Sequence, residues 1–154
     1  MGWKLKLLAV LVVVLVVLGA VGIYVYTQYR QLGVDLDRSK SGIALYNAQQ
    51  VQLRIAIRFT NDGAIDLVIP PTDFQAWADG AFLGPGDTPE ARVPAHGTVT
   101  TQALLTVAAA NAPDAYWALA DPGRDTVRVK GDAHLDILGM TFNVPFDESF
   151  TVTV

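Results

Sequence analysis

From residue 51 to residue 60 apolar and polar side chains alternate. Val51, Leu53, Ile55, Ile57 and Phe59 are set against Gln52, Arg54, Ala56, Arg58 and Thr60. A period of two puts the first set on one face, so the pattern predicts a strand with one side buried. Burying five such side chains contributes roughly 7 to 15 kcal/mol gross, most of it offset by the entropy of ordering the chain. Asn61-Asp62-Gly63 follows, residue types that accept positive φ and so predict a tight reversal. Further strands are predicted over residues 65–69, 73–78, 81–83, 98–107, 126–138, 140–146 and 150–154. Between them lie Pro70-Pro71, Asp79-Gly80, Gly84-Pro85-Gly86, Pro94-Ala95-His96-Gly97 and Asp121-Pro122-Gly123, which interrupt regular pairing. One helix breaks the series: Asn111 is placed to cap it, Ala115, Tyr116 and Leu119 share a face, and Asp121-Pro122 ends it. About seven or eight strands with one short helix predict an all-β fold, an antiparallel β-sandwich of immunoglobulin or fibronectin III type.

The amino-terminal pattern is different in kind. Residues 7–26 carry no charge, and as a helix they rise about 30 Å, the thickness of a bilayer's hydrocarbon core. Trp3 on one side and Tyr24, Tyr26 and Tyr29 on the other stand where amphipathic rings favour the membrane interface. A cleaved signal peptide is the alternative, with Ala20 and Gly22 as small residues, although the apolar run is longer than the usual signal core. Lys4 and Lys6 precede the run and Arg30 follows it closely, which favours the amino terminus inside and the domain outside. The expected organisation is a short tail (1–6), a transmembrane helix (7–26), a polar tether (27–42) that can supply an edge strand around Val34, and a β-domain (43–154).

Composition adds exclusions. The chain has 154 residues, a net charge of -4 and no cysteine. The charge gives phosphate backbones nothing to bind, so no nucleic-acid partner is expected. Without cysteine there is no disulfide, thiolate metal site or cysteine nucleophile. Asp132, His134 and Asp136 share one strand face, but nothing nearby in sequence completes a ligand set, and a solvated face paired with Arg54, Arg58, Arg128 or Lys130 is the plainer reading. Ser39, Ser41, Ser149 and His96 lack the setting of a nucleophile elbow, and Gly80, Gly84 and Gly86 that of a phosphate cradle. No catalytic, metal or cofactor residues are therefore expected. Trp77, Phe82 and Trp117 are the candidate contacts for a partner or a membrane.

Three stretches, "FTNDGAIDLVIPPTDFQAWADGAFLGPG" (59–86), "VPAHGTVTTQALLTV" (93–107) and "VRVKGDAHLDILGMTFNVPFDESFTV" (127–152), resemble the water-stress and hypersensitive-response (WHy) domain of the folded, type 2 late embryogenesis abundant proteins. Asn61 matches the first asparagine of that family's Asn-Pro-Asn, while Asp62 and Gly63 depart from the other two. Trp77, Gly80 and Gly84 fit its hairpin, Pro94 and Gly97 its loop, and Gly131 its late strand. The resemblance implies a fibronectin-like sandwich, no catalytic residues, and a role in tolerance of desiccation or related stress. The expected partners are membrane lipid, through the helix, and client or envelope proteins. The competing reading is an envelope binding or assembly module with an immunoglobulin-like ectodomain; a small-molecule carrier stands third.

Overall fold

The computed structural model describes residues 2–121 and 123–153. A helix, α1 (Trp3–Arg30), leads into strands β1 (Leu32–Leu36), β2 (Gly42–Tyr46), β3 (Gln50–Asn61), β4 (Leu67–Ile69), β5 (Thr72–Ala78), β6 (Ala81–Thr88), β7 (Ala91–Val93) and β8 (Gly97–Ala108). A short helix, α2 (Pro113–Ala120), precedes β9 (Arg124–Ile137) and β10 (Met140–Thr153). All strand pairs are antiparallel.

Strand β3 organises the first sheet. It pairs along its whole length with β8, and its other edge is covered first by β2 and then by β1. Where β1 gives way to β2 the chain loops outward, and the Ser41 hydroxyl accepts the Ala56 N–H at 3.0 Å in place of a ladder carbonyl. The second sheet has the order β10-β9-β5-β6, and β4 and β7 form a separate ribbon. The alternation read in β3 holds for Val51, Leu53, Ile55, Ile57 and Phe59, which are all buried, but Ala56, expected on the opposite face, is buried as well. They share one core with Phe74, Ala76, Val127, Val129, Ala133 and Leu135 of the second sheet. Gly131 lies between Val129 and Ala133 in β9, where a Cβ would come within 2.5 Å of the Asp73 carbonyl oxygen, so only glycine lets β5 approach.

Several expectations are corrected. Residues 81–88 form one strand through Gly84-Pro85-Gly86, and residues 140–153, which include Pro145, form one strand where two were expected, running through Asp147-Glu148-Ser149. Both are edge strands of their sheet, where a proline's missing N–H can face outward without loss. Asn61-Asp62-Gly63 does not turn by positive φ; positive φ occurs instead at Asp79, Gly80, Gly84, His96, Gly123, Leu138 and Gly139. Helix α2 starts one residue later than expected, with Ala112 at the cap position and no side-chain cap, though Ala115, Tyr116 and Leu119 face the core as the spacing predicts. Strands β2 and β7 had no counterpart among the predicted elements.

Residues 27–42 are structured throughout. They comprise the last turn of α1, strand β1 paired to β3, and a turn in which the Asp37 carboxylate accepts the Ser39 N–H (3.1 Å) and hydroxyl (2.5 Å). Those two hydrogen bonds, the hydroxyl's first, hold the Asp37 carboxyl below its ordinary range. The edge strand expected around Val34 is β1, and the helix joins the β-domain through it and a docked helical turn.

Candidate functional site

The β-domain has two ends, set by the direction of β3. Its Asn61 end adjoins α1, and its Gln50 end lies about 36 Å away at the usual rise per strand residue.

At the helix end, Asn61 is fully buried. Its side-chain amide donates to the carbonyls of Ile65 (2.7 Å), Pro94 (3.2 Å) and Val93 (3.3 Å), and its oxygen accepts the Gly63 N–H at 2.9 Å. One side chain thus joins β3 to the loops before β4 and after β7. The sequence marked Asn61 as a turn residue; its function is carried by the amide. Helix α1 closes onto the same end. Val25 and Gln28 are buried, and a Cβ on Gly63 would lie 2.4 Å from Gln28 Oε1, so glycine lets the helix approach. The Tyr29 ring stacks on Phe142 at 4.8 Å, and its hydroxyl donates to the Asn143 carbonyl at 3.1 Å.

The far end carries the aromatic candidates. Tyr116 in α2 donates to the Asn47 carbonyl (2.8 Å), stacks on Tyr46, and meets the exposed Trp117 edge-on at 5.2 Å. Phe82, exposed, tilts against half-buried Trp77 at 5.7 Å, and the Arg128 guanidinium lies 5.9 Å from the centre of the Trp77 ring. Trp77 is paired with Arg128, near the start of β9 and far from the β9–β10 turn. All three candidate contacts therefore stand away from α1, on the part of the domain remote from any bilayer that α1 would cross. Close by, burial and a hydrogen bond to Asp79 raise the Asp125 carboxyl above its ordinary value, helped by the charges of Asp79 and Asp121.

Of the row Asp132, His134, Asp136, the first two border a shallow groove of about 610 Å³ on the outer face of β5, β6 and β9. His134 Nδ1 pairs with Asn143 Oδ1 at 2.7 Å, and Asp136 accepts the Thr141 hydroxyl at 2.7 Å. The arginines pair elsewhere, Arg58 with Asp35 and Arg128 in two contacts with Asp147 (2.7 and 2.5 Å). Among the described residues no group of three His, Cys, Asp or Glu side chains is arranged to hold a metal ion.

These features define an antiparallel β-domain carried on a long apolar helix and closed at one end by a buried asparagine. The chain belongs to the late embryogenesis abundant protein family, whose pattern matches residues 56–149. Among solved structures it is similar to a late embryogenesis abundant (LEA) protein determined in solution (11% identity, TM-score 0.62, covering 98% of this chain and 88% of that one). It is also similar to a crystallised protein from Archaeoglobus fulgidus (12%, 0.51, 80% and 94%) and to a solution structure from Arabidopsis thaliana (15%, 0.51, 79% and 78%). At these identities the likeness concerns the fold. No curated protein matches the chain by sequence.

Proposed function

We propose that this chain is a membrane-held, non-enzymatic stress-protection protein of the WHy type, its two sheets forming an immunoglobulin- or fibronectin III-like sandwich. The family match over residues 56–149 is the observation that carries this reading, and it speaks for stress protection over an assembly module. Helix α1 is long and apolar enough to cross a bilayer or to serve as a signal sequence. Two features support an uncleaved anchor: the helix runs unbroken through Ala20 and Gly22, and its last turns belong to the domain's core. In this arrangement the amino terminus is inside, and the domain presents Trp117, Phe82 and Trp77 away from the bilayer, where they meet aggregation-prone clients. Exposed aromatic rings suit that task because they cover apolar surface on a partner at little cost in side-chain entropy.

The test is drying and rehydration of vesicles carrying the full chain together with an enzyme that aggregates when dried. The expected result is more soluble, active enzyme than with empty vesicles, and a smaller gain with Trp117→Ala. Equal enzyme loss with and without the chain would overturn the reading.

A further inference from the structure

The hairpin of β9 and β10 is longer than the sheet that carries it. Strand β5 pairs with β9 only as far as Asp132, so residues 133–137 and their partners 140–144 extend past it as a two-stranded arm. The inner face of that arm is buried through Ala133, Leu135 and Ile137, and Asp136 and Thr141 bond across its outer face. At the tip this order reverses. Leu138 is 71% exposed and Met140 41% exposed, with only Gly139 between them.

Leu138 has φ 50° and Gly139 φ 78°, the left-handed pair of a tight hairpin turn. The hairpin of β5 and β6 makes the same turn with Asp79 (φ 47°) and Gly80 (φ 85°). Asp or Asn with Gly is what such a turn favours, because their short polar side chains tolerate positive φ, whereas leucine does not. At the arm's tip both backbone preference and hydration therefore oppose the residue present. A contact outside the folded chain would account for it.

The position of α1 identifies that contact. Tyr29 lies against Phe142 and Asn143, Arg30 and Leu32 adjoin Val144, Leu36 N–H donates to Glu148 (2.9 Å), and Arg38 to the Ser149 carbonyl (3.1 Å). The chain from Tyr29 onward thus runs along β10 away from the tip. Followed backward, α1 runs towards it. From Phe142 and Asn143 the tip is about four strand residues, or about 13 Å, equal to about nine residues of helix. That sets it level with the region around Ala20 to Gly22, inside the uncharged run 7–26. Side-chain exposure agrees: Val21 is 39% exposed, and Leu18, one turn earlier, 62%.

We infer that the β9–β10 tip, Leu138-Gly139-Met140, is a second membrane contact that dips into the headgroup–acyl boundary of the bilayer crossed by α1. The inference rests on the anchor reading above. Leu138 and Met140 supply apolar area, while Asp136, two residues below the tip and held by Thr141, stays at headgroup depth and limits the insertion. Tyr24, Tyr26 and Tyr29 mark the same interface on the helix. Two contacts side by side fix the domain's tilt, which one helix alone leaves free.

The absence of native cysteine allows a direct test. An environment-sensitive dye is attached to the full chain at Val14→Cys, Leu138→Cys or Ala48→Cys, in vesicles containing nitroxide-labelled lipid. The inference expects quenching and blue-shifted emission at positions 14 and 138 and neither at position 48, which lies at the far end. Quenching at 14 with a water-like signal at 138 would overturn the inference and leave the anchor; water-like signals at all three would overturn the anchor itself. A second arm keeps the dye away from the tip. With the dye at Asn143→Cys and the nitroxide on the lipid headgroup, adding Leu138→Asn, which the turn accepts, is expected to lower quenching about twofold, as expected when buried apolar area is lost from an interfacial contact. Unchanged quenching would count against the inference.

Discussion

The turns Asp79-Gly80 and Leu138-Gly139 share a backbone conformation and lie at opposite ends of the β-domain, one polar and one apolar. At the far end the turn agrees with local preference, and Asp79 also bonds the buried carboxyl of Asp125. At the helix end the turn goes against that preference, while elsewhere at that end Asn61 and Tyr29 bond to backbone carbonyls and Gly63 lies close against the Gln28 side chain. Departures from local rules therefore concentrate where the helix meets the domain. That is the end whose solvent, on the reading above, is partly lipid.

The strongest way to break this contrast is Asn61→Ala. It would orphan the Ile65 carbonyl and the Gly63 N–H, leave the Pro94 carbonyl with the Gly97 N–H alone, and open a small cavity. The expected loss is about 3 to 5 kcal/mol, because buried polar groups stripped of partners incur their full desolvation cost. A urea titration of the full chain in detergent, followed by near-UV circular dichroism, would measure it; a loss below 1 kcal/mol would mean the far end, not this one, governs the fold's stability. Tyr29→Ala comes next. Removing the stack on Phe142 and the bond to Asn143 is expected to cost about 1 to 2 kcal/mol. It should also free the end of α1, visible as faster hydrogen exchange over residues 25–34 with the β3 amides unchanged. If exchange in α1 stays slow, Val25 and Gln28 alone hold the helix.

Much of the contrast was invisible in the sequence, for identifiable reasons. Strand β3 and the buried face of α2 were legible because each follows one period with one buried side. Thr27-Gln28-Tyr29-Arg30 read as connector because polarity is a local property, whereas burial of Gln28 and Tyr29 comes from loops and strands over thirty to a hundred residues away. Asn61 was noticed for its backbone tolerance, yet its side chain matters through acceptors at residues 65, 93 and 94 that no spacing rule links to it. Pro85 was read as a break because edge position belongs to the sheet, not to the strand. The aromatic candidates Trp77, Phe82 and Trp117 were named from the sequence, but only the fold shows that they stand at the end away from α1. The tip at Leu138 passed unnoticed, since leucine next to glycine is unremarkable until its φ and its exposure are known.

The smallest effect sharpens the far end. Burial, then the bond to Asp79, raises the Asp125 carboxyl above its ordinary value of 3.8. The folded chain therefore holds this proton more tightly than the unfolded chain does. The associated stability is fully present below the ordinary value and is lost as pH rises through the raised one. Asp125→Asn cannot ionise, so its stability should escape that loss. Relative to the native chain the variant is expected to be near neutral at about pH 3 and more stable at about pH 7, the gap opening across the window between the unfolded and folded titrations. Comparing the two proteins at each pH cancels the opposite trend from Asp37 and Asp147, whose carboxyls are held low by Ser39 and by Arg128. A gap that is constant with pH would show that the Asp125 carboxyl titrates alike in the folded and unfolded chains, so that neither its burial nor the polar turn at the far end perturbs it.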